Sequence, residues 1–264
     1  MSPSLSTWRD LPARLASGVI IAVVGIGLVW VGGIWIAGLL TLACGLMIWE
    51  LAVMNTPDRP GIARLLGGVA AALMVLALWI DHPASALLLL VPAGFMAFST
   101  GRDRIVCAVY ATAIMVAGYG LVEFRAQSGA VWLVWLILVV VVTDIAGYFA
   151  GRLLGGPKFW PAVSPKKTWA GTIAGWIAAA GVGYVFLFFT TAGPDLPWIS
   201  AAIALASQMG DIAESAIKRR AGVKDSSALI PGHGGLLDRF DGLLGAALLM
   251  LIVAQVVVVP EVRI

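Results

Sequence analysis

Five carboxylates, Asp144, Asp211, Glu214, Asp238 and Asp241, lie in or at the ends of strongly apolar stretches of this 264-residue chain. An ionisable group near the middle of a membrane helix costs about 2.5–3.5 kcal/mol on insertion scales, so each needs a compensating partner. Asp238 and Asp241 are three apart, as are Asp211 and Glu214, and residues at that spacing share a helix face. Ser207, Asp211, Ser215 and Lys218 extend one polar stripe; Asp144, Tyr148 and Arg152 form another. Three helices would then present carboxylates at one level. Unpaired, these charges repel, and a divalent cation is the simplest compensation. Carboxylate, water and phosphate oxygens are the hard ligands magnesium takes, while lysine and arginine supply phosphate donors. The pattern points to metal-assisted chemistry on phosphates. Helix-end ion pairs such as Asp238 with Arg239, or Glu214 with Lys218, are the plainer alternative for single residues. Glu50, at the end of an early apolar run, is expected to snorkel or to pair structurally.

Between these carboxylates runs Pro231-Gly232-His233-Gly234-Gly235. Its glycines let backbone approach a ligand closely, and exposed N–H groups can cradle a phosphate. His233, between Lys224-Asp225 and Asp238-Arg239, is a candidate site residue whose role as base, donor or positioning group stays open. His82 is expected to be incidental.

The elements that carry these residues are membrane helices. The chain is 61% hydrophobic and 12% charged, against about 25% charged in a soluble domain. That excludes an all-soluble enzyme, and with it disorder, a coiled coil and a disulfide-stapled secreted domain. Cys44 and Cys107 sit inside apolar runs and read as buried thiols. A span needs about 20 apolar residues, and nine stretches qualify: 14–31, 33–54, 62–80, 84–99, 104–122, 129–150, 169–191, 197–217 and 241–259. The expected fold is an all-α polytopic membrane protein. The fourth span is short and holds Pro92, which predicts a kink or tilt. Gly171 and Gly175 make a G-x-x-x-G pair that lets helices pack closely.

With the N-terminus in the cytoplasm and the C-terminus on the other side, cytoplasmic segments hold all but Arg125 and Arg263 of the 17 lysines and arginines. That asymmetry supports the orientation. Most connections are tight, but two cytoplasmic segments, 151–168 and 218–240, are longer and strongly basic. They suggest an anion site; topology signalling and attraction to anionic lipid heads are the alternative. The expected organisation is five N-terminal spans over 1–125 and a catalytic region over 126–264.

Ser215-Ala-Ile-Lys218-Arg219, Lys224-Asp225 and Leu229-Ile230-Pro231-Gly232-His233-Gly234-Gly235-Leu236-Leu237-Asp238-Arg239-Phe240-Asp241 resemble the C-terminal signature of the CDP-diacylglycerol synthases, or phosphatidate cytidylyltransferases. The spacing runs unbroken over 27 positions. Asp144-Ile-Ala-Gly-Tyr148 with Gly151-Arg152, and Ser164-Pro165-Lys166-Lys167-Thr168-Trp169, also look like family elements. Ala170 departs from the pattern, where Glu or Gln often follows the Thr-aromatic pair. The resemblance covers about 140–242.

That likeness implies an enzyme joining CTP to phosphatidic acid, giving CDP-diacylglycerol and pyrophosphate, with magnesium required and a second, monovalent or divalent, cation left open. It implies Asp211, Asp238 and Asp241 as metal ligands. Those three with His233 and Lys224 form the expected catalytic set. Asp144, Ser164, Lys166, Lys167, Thr168, Ser215, Lys218, Arg219, Asp225, Gly234, Gly235 and Arg239 form the expected substrate-binding set. Expected partners are CTP, phosphatidic acid and the lipid bilayer, with no nucleic acid, in an integral membrane setting (the inner membrane if bacterial) with the site facing the cytoplasm; the family suggests a homodimer. An ion-coupled transporter is the competing reading, since intramembrane carboxylates also form ion pathways.

Overall fold

In the computed structural model, residues 23–80, 82–99, 103–230, 234–257, 259, 260 and 262 are described. Arg9, Arg14, Arg102, Arg263 and His233, together with the start of the first expected span, lie outside them. Residues 23–31 are helical. Then come α1 (Gly33–Asn55), α2 (Pro60–Trp79), a 3-10 helix (Pro83–Leu90), α3 (Val91–Ser99), α4 (Arg104–Ser128), α5 (Ala130–Leu153), β1 (Lys158–Trp160), β2 (Ser164–Thr168), α6 (Trp169–Phe186), α7 (Leu196–Arg220) and α8 (Leu237–Val256). The fold is mostly helical. Among the described residues, α1, α2, α4, α5, α6 and α8 are long and apolar enough to cross a membrane.

Two other expected spans take different forms. The stretch 84–99 is a 3-10 helix that gives way to α3 at Val91, so Pro92 falls at the start of a new helix, where its missing N–H breaks no bond. His82 has a local structural use, its Nδ1 accepting from Ala84 N at 3.1 Å and capping the 3-10 helix. The stretch 197–217 is the 25-residue helix α7; its load of Asp211, Glu214, Lys218, Arg219 and Arg220 makes it the least apolar of the long helices.

One departure from an all-α fold is clear. The first basic loop folds into an antiparallel hairpin, with Lys158 opposite Thr168 and Trp160 opposite Ser164. Aromatic Phe159 and Trp160 suit a strand, and a two-stranded ribbon has free edges that tolerate Pro165. Helix boundaries moved as well. α8 begins four residues before the expected 241, which places Asp238 and Asp241 within its first two turns.

Short connections fix the neighbours. Gly129 alone joins α4 to α5, at φ 87°, a backbone angle that glycine adopts without strain. Packing runs in a continuous series: α5 on α6, α6 on α7, α7 on α8, α8 on α4, α4 on α1 and α1 on α2. Three of these crossings are backbone against backbone. A Cβ at Gly45 would stand 2.9 Å from the Gly67 carbonyl oxygen, and one at Gly171 2.5 Å from that of Gly147. A Cβ at Gly245 would collide with the Ala206 carbonyl. In lipid, where apolar burial does not drive helices together, small residues gain contact by letting backbones meet. The G-x-x-x-G pair is used in this way: Gly175 packs against Thr143 and Gln208.

One end of the bundle is tied by Arg125, which donates to Val29 O at 2.7 Å and Trp30 O at 2.9 Å, and by Trp132 Nε1 on Pro260 O at 2.8 Å. The opposite end gathers the C-terminus of α7, the N-terminus of α8, the hairpin and the C-terminus of α1. Arg220 pairs with Asp103 there at 3.0 Å.

Gly171→Ala should therefore destabilise the protein by about 1–3 kcal/mol, the cost of overpacking a tight contact. Gly181→Ala, where a Cβ meets nothing within 4 Å, should be neutral or stabilising by up to about 1 kcal/mol. Thermal unfolding in detergent compares the two.

Candidate active site

At that polar end, α7 and α8 lie side by side, their approach set by Gly210 and Gly245. One ligand oxygen from each of Asp211, Glu214 and Asp241 falls within 4.8 Å of the others. Glu214 is fully buried. Lys218 forms ion pairs with Glu214 and Asp238, both at 2.5 Å. Lys167, from β2, pairs with Asp211. Ser215 donates to Asp211 Oδ1 at 3.3 Å, and Gly242 N donates to Asp241 Oδ1 at 2.7 Å. Two lysines against four carboxylates leave two negative charges uncompensated. Among the described residues, Glu214 Oε1 and the hydroxyl of Ser207 are buried without a hydrogen-bond partner, while Glu214 Oε2 meets only Lys218. Buried polar atoms are nearly always satisfied, so these orphaned oxygens and the excess charge fit a hard divalent cation such as magnesium.

The carboxylates gathered here differ from the expected trio in one member. Glu214 joins Asp211 and Asp241, whereas Asp238 is filled by other donors. Its Oδ2 accepts from Ser226 N at 2.9 Å, Ser226 Oγ at 2.9 Å and Gly235 N at 2.8 Å; its Oδ1 takes Lys218. Glu214 carries the same helical spacing in the sequence, where a site role and an ion pair with Lys218, one turn on, are equally open, and the family likeness does not name it among the metal ligands. That pair forms, yet Lys218 also serves Asp238.

Beside the carboxylates opens a pocket of about 520 Å³ between α5, β2, α6 and α7. Asp144, Tyr148 and Arg152 line it from α5, and Lys166, Lys167 and Thr168 from β2. Arg152 donates to the Tyr148 hydroxyl at 2.8 Å. Thr168 caps α6, its Oγ1 accepting from Gly171 N at 3.2 Å, so the hairpin is anchored where it delivers its lysines. Gln208 was not singled out in the sequence. It too lines the pocket, held by Trp176 Nε1 at 2.9 Å. Lys167 reaches from this pocket to Asp211 and joins the two parts of the site.

The remaining expected residues lie nearby with smaller roles. Ser164 begins β2 and is half-buried, while Lys224 and Asp225 are exposed on the turn after α7. Arg219 faces away from the carboxylates, donating to Val223 O at 3.3 Å. Arg239 is exposed at the start of α8, next to Asp238. Gly234, at φ 82°, pairs through its carbonyl with Ile230 N at 2.8 Å. Ser226 and Ser227, which the sequence did not mark, lie beside this group with Glu50, whose expected structural pairing is with them and the N-terminus of α8.

The profile of the cytidylyltransferase family matches residues 12–257. The chain belongs to that family. Phosphatidate cytidylyltransferases of Brucella suis and Brucella melitensis are 33% identical to it over 266 and 267 residues, 96% of this chain and of theirs. That of Staphylococcus haemolyticus is 39% identical over 137 residues, 50% of this chain and 52% of its own. The family assignment agrees with a site of acidic and basic side chains at one end of a membrane bundle.

Lys218 is the shared counter-ion of two carboxylates whose side chains are 0% and 7% exposed. Lys218→Met should destabilise the fold by about 3–5 kcal/mol, the penalty for stranding a buried charge. Adding Glu214→Gln should recover part of that loss, as read from denaturant or thermal unfolding of both variants.

Proposed function

We propose that the chain is a phosphatidate cytidylyltransferase: it condenses CTP with phosphatidic acid to CDP-diacylglycerol and pyrophosphate. The observation that carries this reading is the carboxylate group Asp211, Glu214 and Asp241 standing beside a basic pocket, in a chain related over nearly its whole length to enzymes of that name. A phosphate oxygen of the lipid attacks the α-phosphorus of CTP. As that bond forms, the bond from the α-phosphorus to the bridging oxygen breaks, and pyrophosphate leaves with the electron pair. The lipid phosphate is already largely dianionic near neutral pH, its second pKa being about 6, so no covalent enzyme intermediate is required.

The barrier is repulsion between two polyanions. Lys166, Lys167 and Arg152 around the pocket lower it by offering donors to phosphate oxygens. Asp211, Glu214 and Asp241 would hold magnesium, which supplies charge neutralisation and polarisation of phosphoryl oxygens when bound. Lys167 has a double duty, pairing with Asp211 while facing the pocket. Asp238 orders Ser226 and Gly235 through three hydrogen bonds, so the signature loop has a fixed start and finish. The family signature supports Lys224 and His233 as members of the catalytic set.

The orientation follows from the basic residues. With Arg59, Arg64, Arg152, Lys158, Lys166, Lys167 and the cluster Lys218–Arg220 at one end, that end faces the cytoplasm, where CTP is dissolved. Counting 14–31, 84–99 and 197–217 with the six long apolar helices gives nine crossings, the N-terminus inside and the C-terminus outside. The first 125 residues form a membrane scaffold, and 126–264 carry the transfer chemistry. The acyl chains of the substrate stay in the bilayer beside the bundle. An ion-coupled transporter fits less well: carboxylates at one membrane interface, next to basic loops, do not make a path across it.

Purified protein supplied with CTP, phosphatidic acid and magnesium should release labelled CDP-lipid and pyrophosphate in equal amounts. Asp241→Asn and Asp211→Asn should each lower kcat by at least about 100-fold, the loss of about 2.7 kcal/mol of transition-state stabilisation, with the folded yield unchanged. Full activity in both variants would remove these carboxylates from the reaction, and nucleotide-independent ion flux in liposomes would favour the transporter. Lys167→Ala should raise KM for a phosphate-bearing substrate, read from steady-state kinetics.

A further inference from the structure

Glu50 is a buried carboxylate that the N-terminal half of the chain brings to the polar end. It sits near the end of α1 and is 0% exposed. Its Oε1 accepts from Ser227 Oγ at 2.6 Å and Leu236 N at 2.8 Å. Its Oε2 accepts from Ser226 Oγ at 3.2 Å and Leu237 N at 2.7 Å. All four donors belong to the signature loop or the first residues of α8, more than 170 positions away. No lysine or arginine among the described residues forms an ion pair with it.

The arrangement supplies what α8 lacks. The residue at its N-cap is Leu236, which has no side-chain acceptor. Initial amides of a helix need acceptors, and a carboxylate there also opposes the helix dipole favourably. Glu50 is that acceptor, supplied from another helix. Gly235 shows how closely the two parts fit: a Cβ there would overlap the Ser226 hydroxyl and stand 2.6 Å from Glu50 Oε1. The same loop is gripped from its other side by Asp238, and Ser226 Oγ lies between both carboxylates. Asp241 follows Asp238 by one turn, so any shift at the start of α8 carries into the Asp211–Glu214–Asp241 group.

We propose that Glu50 is a positioning residue for the transfer reaction. It holds the segments 226–230 and 234–237 and the start of α8 so that Asp241 meets Asp211 and Glu214. This rests on the proposed cytidylyl transfer for its kinetic consequence, but the mechanical claim stands apart from it.

The test uses Glu50→Gln, which keeps the size and one acceptor oxygen but turns an amide towards a backbone N–H. In the full-length protein in detergent, turnover is measured with CTP and phosphatidic acid, and amide hydrogen exchange is followed by mass spectrometry. The expected result is a fall in kcat of about 30-fold, about 2 kcal/mol, with KM for CTP little changed. Exchange should quicken at 226–230 and 234–241 and stay as in the parent across 40–48 of α1. An unaltered kcat overturns the proposal. So does faster exchange spread evenly over α1 and α4, which would make Glu50 a stability residue only. If Glu50→Gln does not fold, Ser227→Ala, which removes a single donor, should show the same pattern at smaller size, and an unaltered kcat and exchange there overturn it. Should the parent itself turn over no substrate, the function reading fails. Exchange then decides alone: quickening confined to 226–230 and 234–241 supports the positioning role, and none refutes it.

Discussion

Charge buried at the edge of a membrane bundle governs this structure. Glu50, Glu214 and Lys218 are buried, with Asp238 nearly so, and each charge demands a partner because low-dielectric surroundings magnify any imbalance. The partners are found in three ways. Lys218 bridges two carboxylates; Glu50 and Asp238 collect backbone and serine donors; the Asp211–Glu214–Asp241 group keeps an excess of negative charge suited to a divalent cation. The first two arrangements meet their carboxylates with donors inside the protein. The third keeps a buried carboxylate oxygen without a protein donor, which makes it the candidate place for a cation.

These charges can meet only because the helices that carry them approach so closely. Glycine at the crossings of α5 with α6 and of α7 with α8 removes the side chains that would hold the backbones apart. The hairpin β1–β2 then swings Lys166 and Lys167 over the gap between α5 and α6, with Thr168 fastening it to the start of α6. Packing by small residues, rather than apolar burial, thereby sets the distance between the basic pocket and the carboxylates.

Much of the site was legible beforehand because a charge inside an apolar run is conspicuous. Asp144, Asp211, Asp238 and Asp241 announced themselves in that way, and helical spacing placed Ser215 and Lys218 with them. Glu214 carried the same signal but was masked by a plausible ion pair one turn away. Glu50 was visible as an isolated carboxylate at a helix end, yet nothing near it in the chain showed what it touches. Strands of three and five residues leave too short a pattern along the chain to mark the hairpin. Pro92 predicted an irregular fourth span without revealing that the irregularity is a change from 3-10 to α-helix.

By itself, the sequence determined the membrane character, the position of most of the apolar helices, and which residue types could handle phosphates. Those are properties of composition and local periodicity, written along the chain. Only the tertiary structure decided which carboxylates share a site, that Asp238 serves the signature loop, and that Glu50 caps a helix nearly two hundred positions away. Such choices depend on which surfaces of α1, α7 and α8 face one another. That is set by the whole pattern of backbone contacts and is encoded in no single stretch of residues.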